Sequence, residues 1–445
     1  MFLLIRKIYL YSAIFLAACA IFLTHYLVSG QAVYGDGIGY YAHLRSWVID
    51  GDWNYTNEYT HIYNPENNNA LQPLSVEKVQ IVATTATGKA ENHYSPAVGV
   101  LLLPFFLVAH QLSLLGASFG FALPTQGYSD LYQIISGIGA IAYVIFGLFL
   151  LEKIVGRYSK DTLLSRLTVA AVFFATNLIY YGAFDVINSH FASFFLSCLF
   201  FYNFLNSKQK NYWLLGLISG ALIMNRLQDG AVIVLVIFEL MIQLTQQKIK
   251  NVQLLSKLLL YLSGTCIGVL PLIYHWLHTF NSLLNQTYLR NFVTEQHQLG
   301  WQYLFGSLLD PVTGLLVRTP ILLVVSCYFV YSKLMGERKI NQYLVYPLLF
   351  FLIQAVIITA QGGWAAAAYG GRMYISSLPF FALLTVDFLI FLKRKKQYLP
   401  LTFVIGLIGL NLLLVAQFVL FQKGGENGNK GTEQRTITRL NQIFE

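Results

Sequence analysis

Pro96-Ala97-Val98-Gly99-Val100-Leu101-Leu102-Leu103-Pro104-Phe105-Phe106-Leu107-Val108-Ala109-His110-Gln111-Leu112-Ser113-Leu114-Leu115 is the apolar run on which the topology of the chain turns. A run of about 20 apolar residues can cross a bilayer. If this one crosses, the basic clusters at 153–166, 208–210, 248–257, 333–339 and 393–396 all face outward. If it does not, all of them face the cytoplasm with Arg6 and Lys7, and 18 of the 29 Lys and Arg residues then lie in short inner loops or at helix ends. The positive-inside rule favours the second arrangement. Pro96 and Pro104 interrupt the run, and His110, Gln111 and Ser113 crowd its second half. Residues 96–115 are therefore read as a juxtamembrane or re-entrant segment.

Composition sets the class. The 445 residues are 56% hydrophobic and 11% charged, with a mean hydropathy of +0.56, which excludes an ordinary soluble domain. Apolar runs recur from Ile8 to Phe421. The run from Ile8 to about Val28 exceeds the apolar core of a signal peptide, and no small-residue cleavage site precedes Gln31, so it is expected to persist as a first helix. Further spans are expected at about 130–151, 166–184, 191–206, 211–225, 230–246, 258–279, 315–332, 341–360, 374–392 and 399–421. The expectation is an all-α polytopic membrane protein of about 11 transmembrane helices, N-terminus inside and C-terminus outside. Residues 1–421 form its membrane domain, 30–115 a long first outer loop, and 422–445 a polar tail. The net charge of +9 reports topology rather than nucleic acid binding. Cys19, Cys198, Cys266 and Cys327 lie inside apolar spans without metal-ligand spacing, which argues against disulfides and zinc.

The acids follow the same partition, 15 of the 20 falling on the outer side, so that side is the expected working surface. There, Tyr34-Gly35-Asp36-Gly37-Ile38-Gly39-Tyr40-Tyr41 sets a carboxylate among three glycines just beyond the first helix. The glycines permit a tight turn and close approach of a substrate. Ile38, Tyr41, Leu44 and Val48 recur at helical spacing, the mark of a short interfacial helix. A carboxylate so placed can take a proton from a hydroxyl, although the stretch taken alone also suits an Asx-type turn cap. The short loop from Asp185 to His190 brings two more ionisable groups to the membrane surface, as functional groups or as helix caps. Arg226, Arg318 and Arg372 each stand alone at an outer helix end. A guanidinium costs about 3 kcal/mol toward the bilayer centre. A lipid phosphate would suit its planar fork, and headgroup snorkelling is the plain alternative. No cofactor is demanded; Asp36 and Asp185 are candidate ligands of a divalent cation.

Four blocks carry a resemblance: Asp36 in the first outer loop, Asn92-His93-Tyr94-Ser95-Pro96 leading into the apolar run, Gly362-Gly363-Trp364, and Tyr369-Gly370-Gly371-Arg372 followed by Leu378-Pro379. Together they resemble the GT-C superfamily of membrane glycosyltransferases. The nearest likeness is to the bacterial branch around the protein O-mannosyltransferases and the aminoarabinose and galacturonic acid transferases of lipopolysaccharide. The resemblance spans nearly the whole chain. It implies a GT-C-like bundle with juxtamembrane helices in the first outer loop, residues 96–115 among them. It also implies inverting transfer of a hexose or pentose from a polyprenyl-phosphate donor to a lipid, glycan or protein hydroxyl, at the extracytoplasmic face of a bacterial inner membrane. Asp36 matches the catalytic base and Asp185 a second acid. His190, Arg372, Arg318, Arg226, His93, Tyr94, Trp364 and Tyr369 are the expected substrate-binding residues. Two departures matter: Gly37 stands where the mannosyltransferases have Glu after the Asp, and Ser95-Pro96 replaces Pro-Pro.

Two other classes share this hydropathy. A transporter or a lipid or glycan flippase would place ionisable groups near the midplane, and Glu239 and Asp387 lie inside apolar spans. A non-catalytic envelope subunit would use Asp36 merely to cap its turn.

Overall fold

The computed structural model describes residues 2–63, 84–205, 210–283, 300–335, 342–362, 364 and 368–422. Lys208, Arg338, Lys339, Gly363 and the tail beyond 422 lie outside them. Among the described residues the chain is helical apart from one isolated bridge, Thr84 to Ala90. α1 (Phe2–Ser29) leads to α2 (Gly37–Arg45), α3 (Thr56–Tyr63) and α4 (Ala97–Ser118). The bundle continues with α5 (Asp130–Tyr158), α6 (Thr162–Phe174), α7 (Ser189–Phe204), α8 (Tyr212–Asn225), α9 (Val232–Thr245) and α10 (Asn251–Phe280). It closes with α11 (Trp301–Leu309), α12 (Pro320–Leu334), α13 (Gln342–Gln361), α14 (Leu378–Lys395) and α15 (Leu399–Gln417).

Eight helices among the described residues are long and apolar enough to cross a membrane, and the protein is a multi-pass membrane protein. Seven of the eight coincide with expected spans; the eighth is α4. The other four expected spans are the shorter helices α6, α7, α8 and α12, of 13, 16, 14 and 15 residues. α7 lies inside the protein, with most of its side chains buried.

α4 is one continuous helix that carries Pro104 within it. It runs antiparallel to α5: the Tyr143 hydroxyl donates to the Leu101 carbonyl, and the Tyr132 hydroxyl meets His110. Tyr143 lies about 20 Å along α5 from its first residue, at 1.5 Å per residue. α4 therefore starts partway along α5 and ends beside its N-terminus, where Tyr26 of α1 donates to Asp130. Both flanks of α4 rest on α2. Asn92 donates to the Gly39 carbonyl on one side, and the Gly127 carbonyl accepts from Tyr41 on the other.

Close helix contacts rest on glycine. Phe22 of α1, Phe105 of α4 and Phe194 of α7 lie against Gly137, Gly139 and Gly147 of α5, where a Cβ would come within 2.3, 2.4 and 2.8 Å of their rings. α8 and α10 meet through two small-xxx-small pairs, Gly216 with Gly220 and Gly264 with Gly268. A Cβ on Gly220 would stand 2.4 Å from the Thr265 carbonyl oxygen, and one on Gly268 would stand 2.5 Å from that of Leu217. Such residues let backbones touch where no hydrophobic force distinguishes protein from lipid.

The expected span at 166–184 is broken. α6 stops at Phe174, and a π-helical turn at Tyr180–Phe184 follows. The carbonyls freed at the break are not left unmet: Asn411 of α15 donates to those of Phe174 and Thr176, at 2.9 and 3.0 Å. Irregular backbone survives among apolar helices only when its polar groups are satisfied in this way. Hydropathy averaged over the span did not reveal the break, because Thr176 and Asn177 are two polar residues among apolar neighbours. The ionisable groups in the spans are also engaged. Glu239 pairs with Lys210 at 2.7 Å and accepts from Tyr346 and Gln243, and Asp387 accepts from Tyr158 at 2.9 Å.

Candidate active site

Asp36 occupies the residue before α2, but its side chain makes no capping hydrogen bond. The turn forms through backbone alone, Gly37 N–H to the Tyr34 carbonyl and Ile38 N–H to that of Gly35. Gly35 takes a left-handed φ of +55°, which favours glycine. Gly39 admits the ring of Tyr94, where a Cβ would come within 1.9 Å, and Gly37 admits the Ile187 carbonyl at 2.6 Å. The carboxylate is thus free for other partners. Its Oδ1 accepts from the Tyr94 hydroxyl at 3.1 Å, and its Oδ2 accepts from Arg372 at 2.9 Å.

The Asp36 side chain is 43% exposed yet has protein on most sides. Burial alone would raise its pKa, but Arg372, the Tyr94 hydroxyl, Arg226 and His93 outweigh it and hold the carboxyl below its ordinary value. It is ionised at neutral pH.

Arg372 is aimed by a clamped loop. Gly370 and Gly371 take φ of +51° and +62°, and a Cβ on Gly371 would meet the backbone of Leu315 at 2.7 Å. Asn177, at the break after α6, donates to the Gly370 carbonyl at 2.6 Å, and the Tyr181 hydroxyl donates to that of Tyr369 at 2.9 Å. The broken span thereby supports the guanidinium that faces Asp36.

Tyr94 is held from behind. The ring nitrogen Nε2 of His43 contacts the Tyr94 carbonyl at 3.0 Å and that of His275 contacts the Asn92 carbonyl at 2.9 Å; a carbonyl only accepts, so both nitrogens carry protons. The Tyr55 hydroxyl can then donate to Nδ1 of His43 at 2.9 Å. Burial lowers the pKa of His43 to about 4, so it is neutral at physiological pH. Nearby, Arg45 bonds both Asp50 and Glu58. One carboxylate balances the guanidinium, and burial, with Asp50 beside it, pushes the Glu58 carboxyl up to about 8. A raised acid pKa favours the folded state in full below the free value of 4.5, and this contribution is lost as pH rises through about 8. Melting temperature is therefore expected to fall across that window in the wild type and to flatten in Glu58→Gln; identical pH profiles would contradict the assignment.

Arg226 closes the site from another side. It contacts Nδ1 of His190 at 3.0 Å and the sulfur of Met373. Beside these groups lies a cleft lined by polar residues, including His93, Arg226 and Gln228, and by apolar ones, including Ile223, Leu272 and Trp276. Asp36, Tyr94, His93, Arg226, His190 and Arg372 thus gather as one cluster.

The other expected residues sit elsewhere. The Asp185 loop packs on the Asp36 turn through Ile187, and the Asp185 charge acts on Tyr34, Tyr180 and Tyr181. Capping of α7 falls to Asn188, which accepts from the His190 N–H at 2.7 Å. Arg318 is buried and donates to the Val312 carbonyl and to Gln417, joining its loop to α15. Tyr369 is buried too, its hydroxyl donating to the Arg318 carbonyl at 3.1 Å. Trp364 packs on Gly306 of α11. Sequence reasoning missed Tyr40, whose ring meets that of Tyr94 at 5.0 Å, and Gln228, which donates to the Met373 carbonyl. Gln228 lies two residues from Arg226 and was findable by that proximity; Tyr40 carried no signal. No three His, Cys, Asp or Glu side chains among the described residues could hold a metal ion, and both Asp36 oxygens already face donors.

The fold and the cluster define an all-helical membrane protein in which a carboxylate–guanidinium pair, Asp36 with Arg372, gathers with Tyr94, His93, Arg226 and His190. The crystal structure of ArnT from Cupriavidus metallidurans in the apo state has a similar fold, with a TM-score of 0.54 over 96% of this chain and 68% of that one. At 12% identity the likeness is one of fold. No protein-family model matches the chain, and no curated protein matches it.

Proposed function

We propose that the chain is an inverting glycosyltransferase that moves a sugar from a polyprenyl-phosphate donor to a hydroxyl on a lipid, glycan or protein. The observation that carries this reading is the Asp36–Arg372 pair, a carboxylate excused from capping and held beside a guanidinium, with His93 and Arg226 of the same cluster lining an adjoining cleft. The likeness of fold to ArnT adds support. An amphiphilic donor suits the cleft, its phosphate toward Arg226 and its chain toward Leu272 and Trp276.

In the proposed step the acceptor oxygen attacks the anomeric carbon while its proton passes to Asp36. The bond from that carbon to the phosphate oxygen breaks, and the electron pair leaves with the polyprenyl phosphate. Arg372 and Arg226 take up the added negative charge. Without donor, Arg372 is engaged by Asp36 and keeps it weakly basic. A donor phosphate competes for the guanidinium, and as Arg372 turns to it the Asp36 pKa climbs toward the range where proton abstraction is effective. Donor binding would thereby arm the base. Asp185, on the adjoining loop, would orient sugar or acceptor.

We place the Asp36 end outside and the end bearing Lys153, Arg157 and Lys393–Lys396 in the cytoplasm, by the positive-inside rule. The two flanks of α4 on α2 support an α4 that stays outside. Transport has less support, since Glu239 and Asp387 are both engaged in local networks.

The test is release of polyprenyl phosphate from a panel of polyprenyl-phosphate pentoses and hexoses by protein in nanodiscs. Release that requires an acceptor hydroxyl is expected; substrate accumulation in vesicles without release would replace transfer with transport. Chelation with EDTA is expected to leave turnover unchanged, because Arg372 supplies the positive charge. Loss restored by Mg²⁺ would instead assign a cation to Asp36 and Asp185.

A further inference from the structure

At the end of the bundle opposite Asp36, the turn between α5 and α6 frames a second cavity of about 350 Å³, within the range of about 300–1,000 Å³ usual for small-molecule sites. Lys153 and Arg157 line it from the last turns of α5, Lys160 lines it from the turn, and Ser159, Thr162 and Tyr202 complete the wall. Arg157 donates to the Tyr202 carbonyl at 2.7 Å, and its guanidinium lies 4.5 Å from the centre of that ring. These contacts fix the side chain while leaving its other N–H groups without an acceptor among the described residues. Lys153 lies 5.5 Å from the centre of the Phe149 ring. Neither it nor Lys160 meets a carboxylate among the described residues. The buried Ser159 hydroxyl accepts from the Asp161 N–H at 3.3 Å and keeps its own proton to donate.

The acids nearby do not cancel this charge. Glu152, on the wall, meets Arg166 at 3.5 Å and accepts from Tyr11 at 2.7 Å, and Asp161 pairs with Lys393. The cavity therefore holds three cations and a hydroxyl donor, and its one carboxylate, Glu152, is already engaged by Arg166 and Tyr11. Leu163, beside Thr162 at the start of α6, is 62% exposed, an apolar neighbour suited to acyl chain.

We infer that this pocket binds a phosphate group, either the phosphodiester of an anionic membrane lipid or free phosphate. Arg157 offers a planar fork and the two lysines offer point charges, the combination that phosphate oxygens accept. None of these residues takes part in the chemistry proposed at Asp36, so either reading can fail alone.

The test is native mass spectrometry of delipidated protein given phosphatidylglycerol or phosphatidylcholine, with a parallel thermal-unfolding series in inorganic phosphate. Wild type is expected to retain phosphatidylglycerol in preference by about thirtyfold, the order expected from two basic residues near a lipid surface, and Lys153→Gln/Lys160→Gln to lose that preference. Equal retention of the two lipids, with phosphate raising the melting temperature of wild type but not of the variant, would assign the pocket to free phosphate. Wild type and variant alike in both assays would overturn the proposal. If the double variant does not fold, Lys153→Gln and Lys160→Gln are measured singly, and no loss in either has the same meaning.

Discussion

Asp36→Asn is expected to lower turnover by about 10²–10⁴-fold, the usual contribution of a positioned base, while the protein folds and extracts as wild type. Asparagine has the same shape and can still accept from Tyr94, and no capping bond is lost because none exists. It cannot take the acceptor's proton. It also frees Arg372 from its ion pair, so donor binding should hold or tighten while kcat collapses. Arg372→Gln should show a different pattern, with weaker donor binding together with slower turnover, since that side chain would meet the phosphate both before and during departure. An Asp36→Asn variant of near-normal turnover would end the assignment of the base. A fall in donor affinity without a fall in kcat would recast Asp36 as a binding group.

Gly220→Leu should abolish a folded, extractable protein. The backbones of α8 and α10 touch at this point, with a Cβ on Gly220 only 2.4 Å from the Thr265 oxygen and 2.7 Å from the Gly268 Cα. No rotamer change relieves a clash with main chain. Overpacking of a side-chain core costs about 1–3 kcal/mol, and separating two helices forfeits more. The Tyr261–Ser219 hydrogen bond across the seam, 2.9 Å, would go with it. Damage would reach the site, because α10 carries His275, which holds the Asn92 carbonyl beside Tyr94. Gly409→Leu on α15 is the control, since nothing lies within 4 Å of a Cβ there. Detergent extraction and size-exclusion profiles separate the two, and a monodisperse Gly220→Leu protein would refute the close seam.

Of the candidate cluster, Asp36, Arg372, Arg226 and His190 stood out as isolated polar groups at the ends of apolar runs, whereas His93 and Tyr94 came with the resemblance carried by residues 92–96. Arg318 stood out by the same rule, yet it is buried in a structural clamp with Val312 and Gln417. Local sequence context does not separate an arginine that faces Asp36 from one that holds a loop. The two small-xxx-small pairs were visible as letters, but only their apposition gives them meaning.

Class, the position of the apolar spans and the singular placement of Asp36 followed from the sequence, because hydropathy and charge are local properties summed over a short window. The tertiary structure decided what such a window does not contain. It brought Arg372 onto Asp36 across 336 residues and left the Asp36 carboxylate uncommitted to its own turn. It broke the span after Phe174, since Asn411 is there to receive the freed carbonyls. It set both flanks of α4 on the one short helix that begins at Asp36. Each is a pairing between distant polar groups, governed by packing geometry rather than by the composition of either partner's neighbourhood.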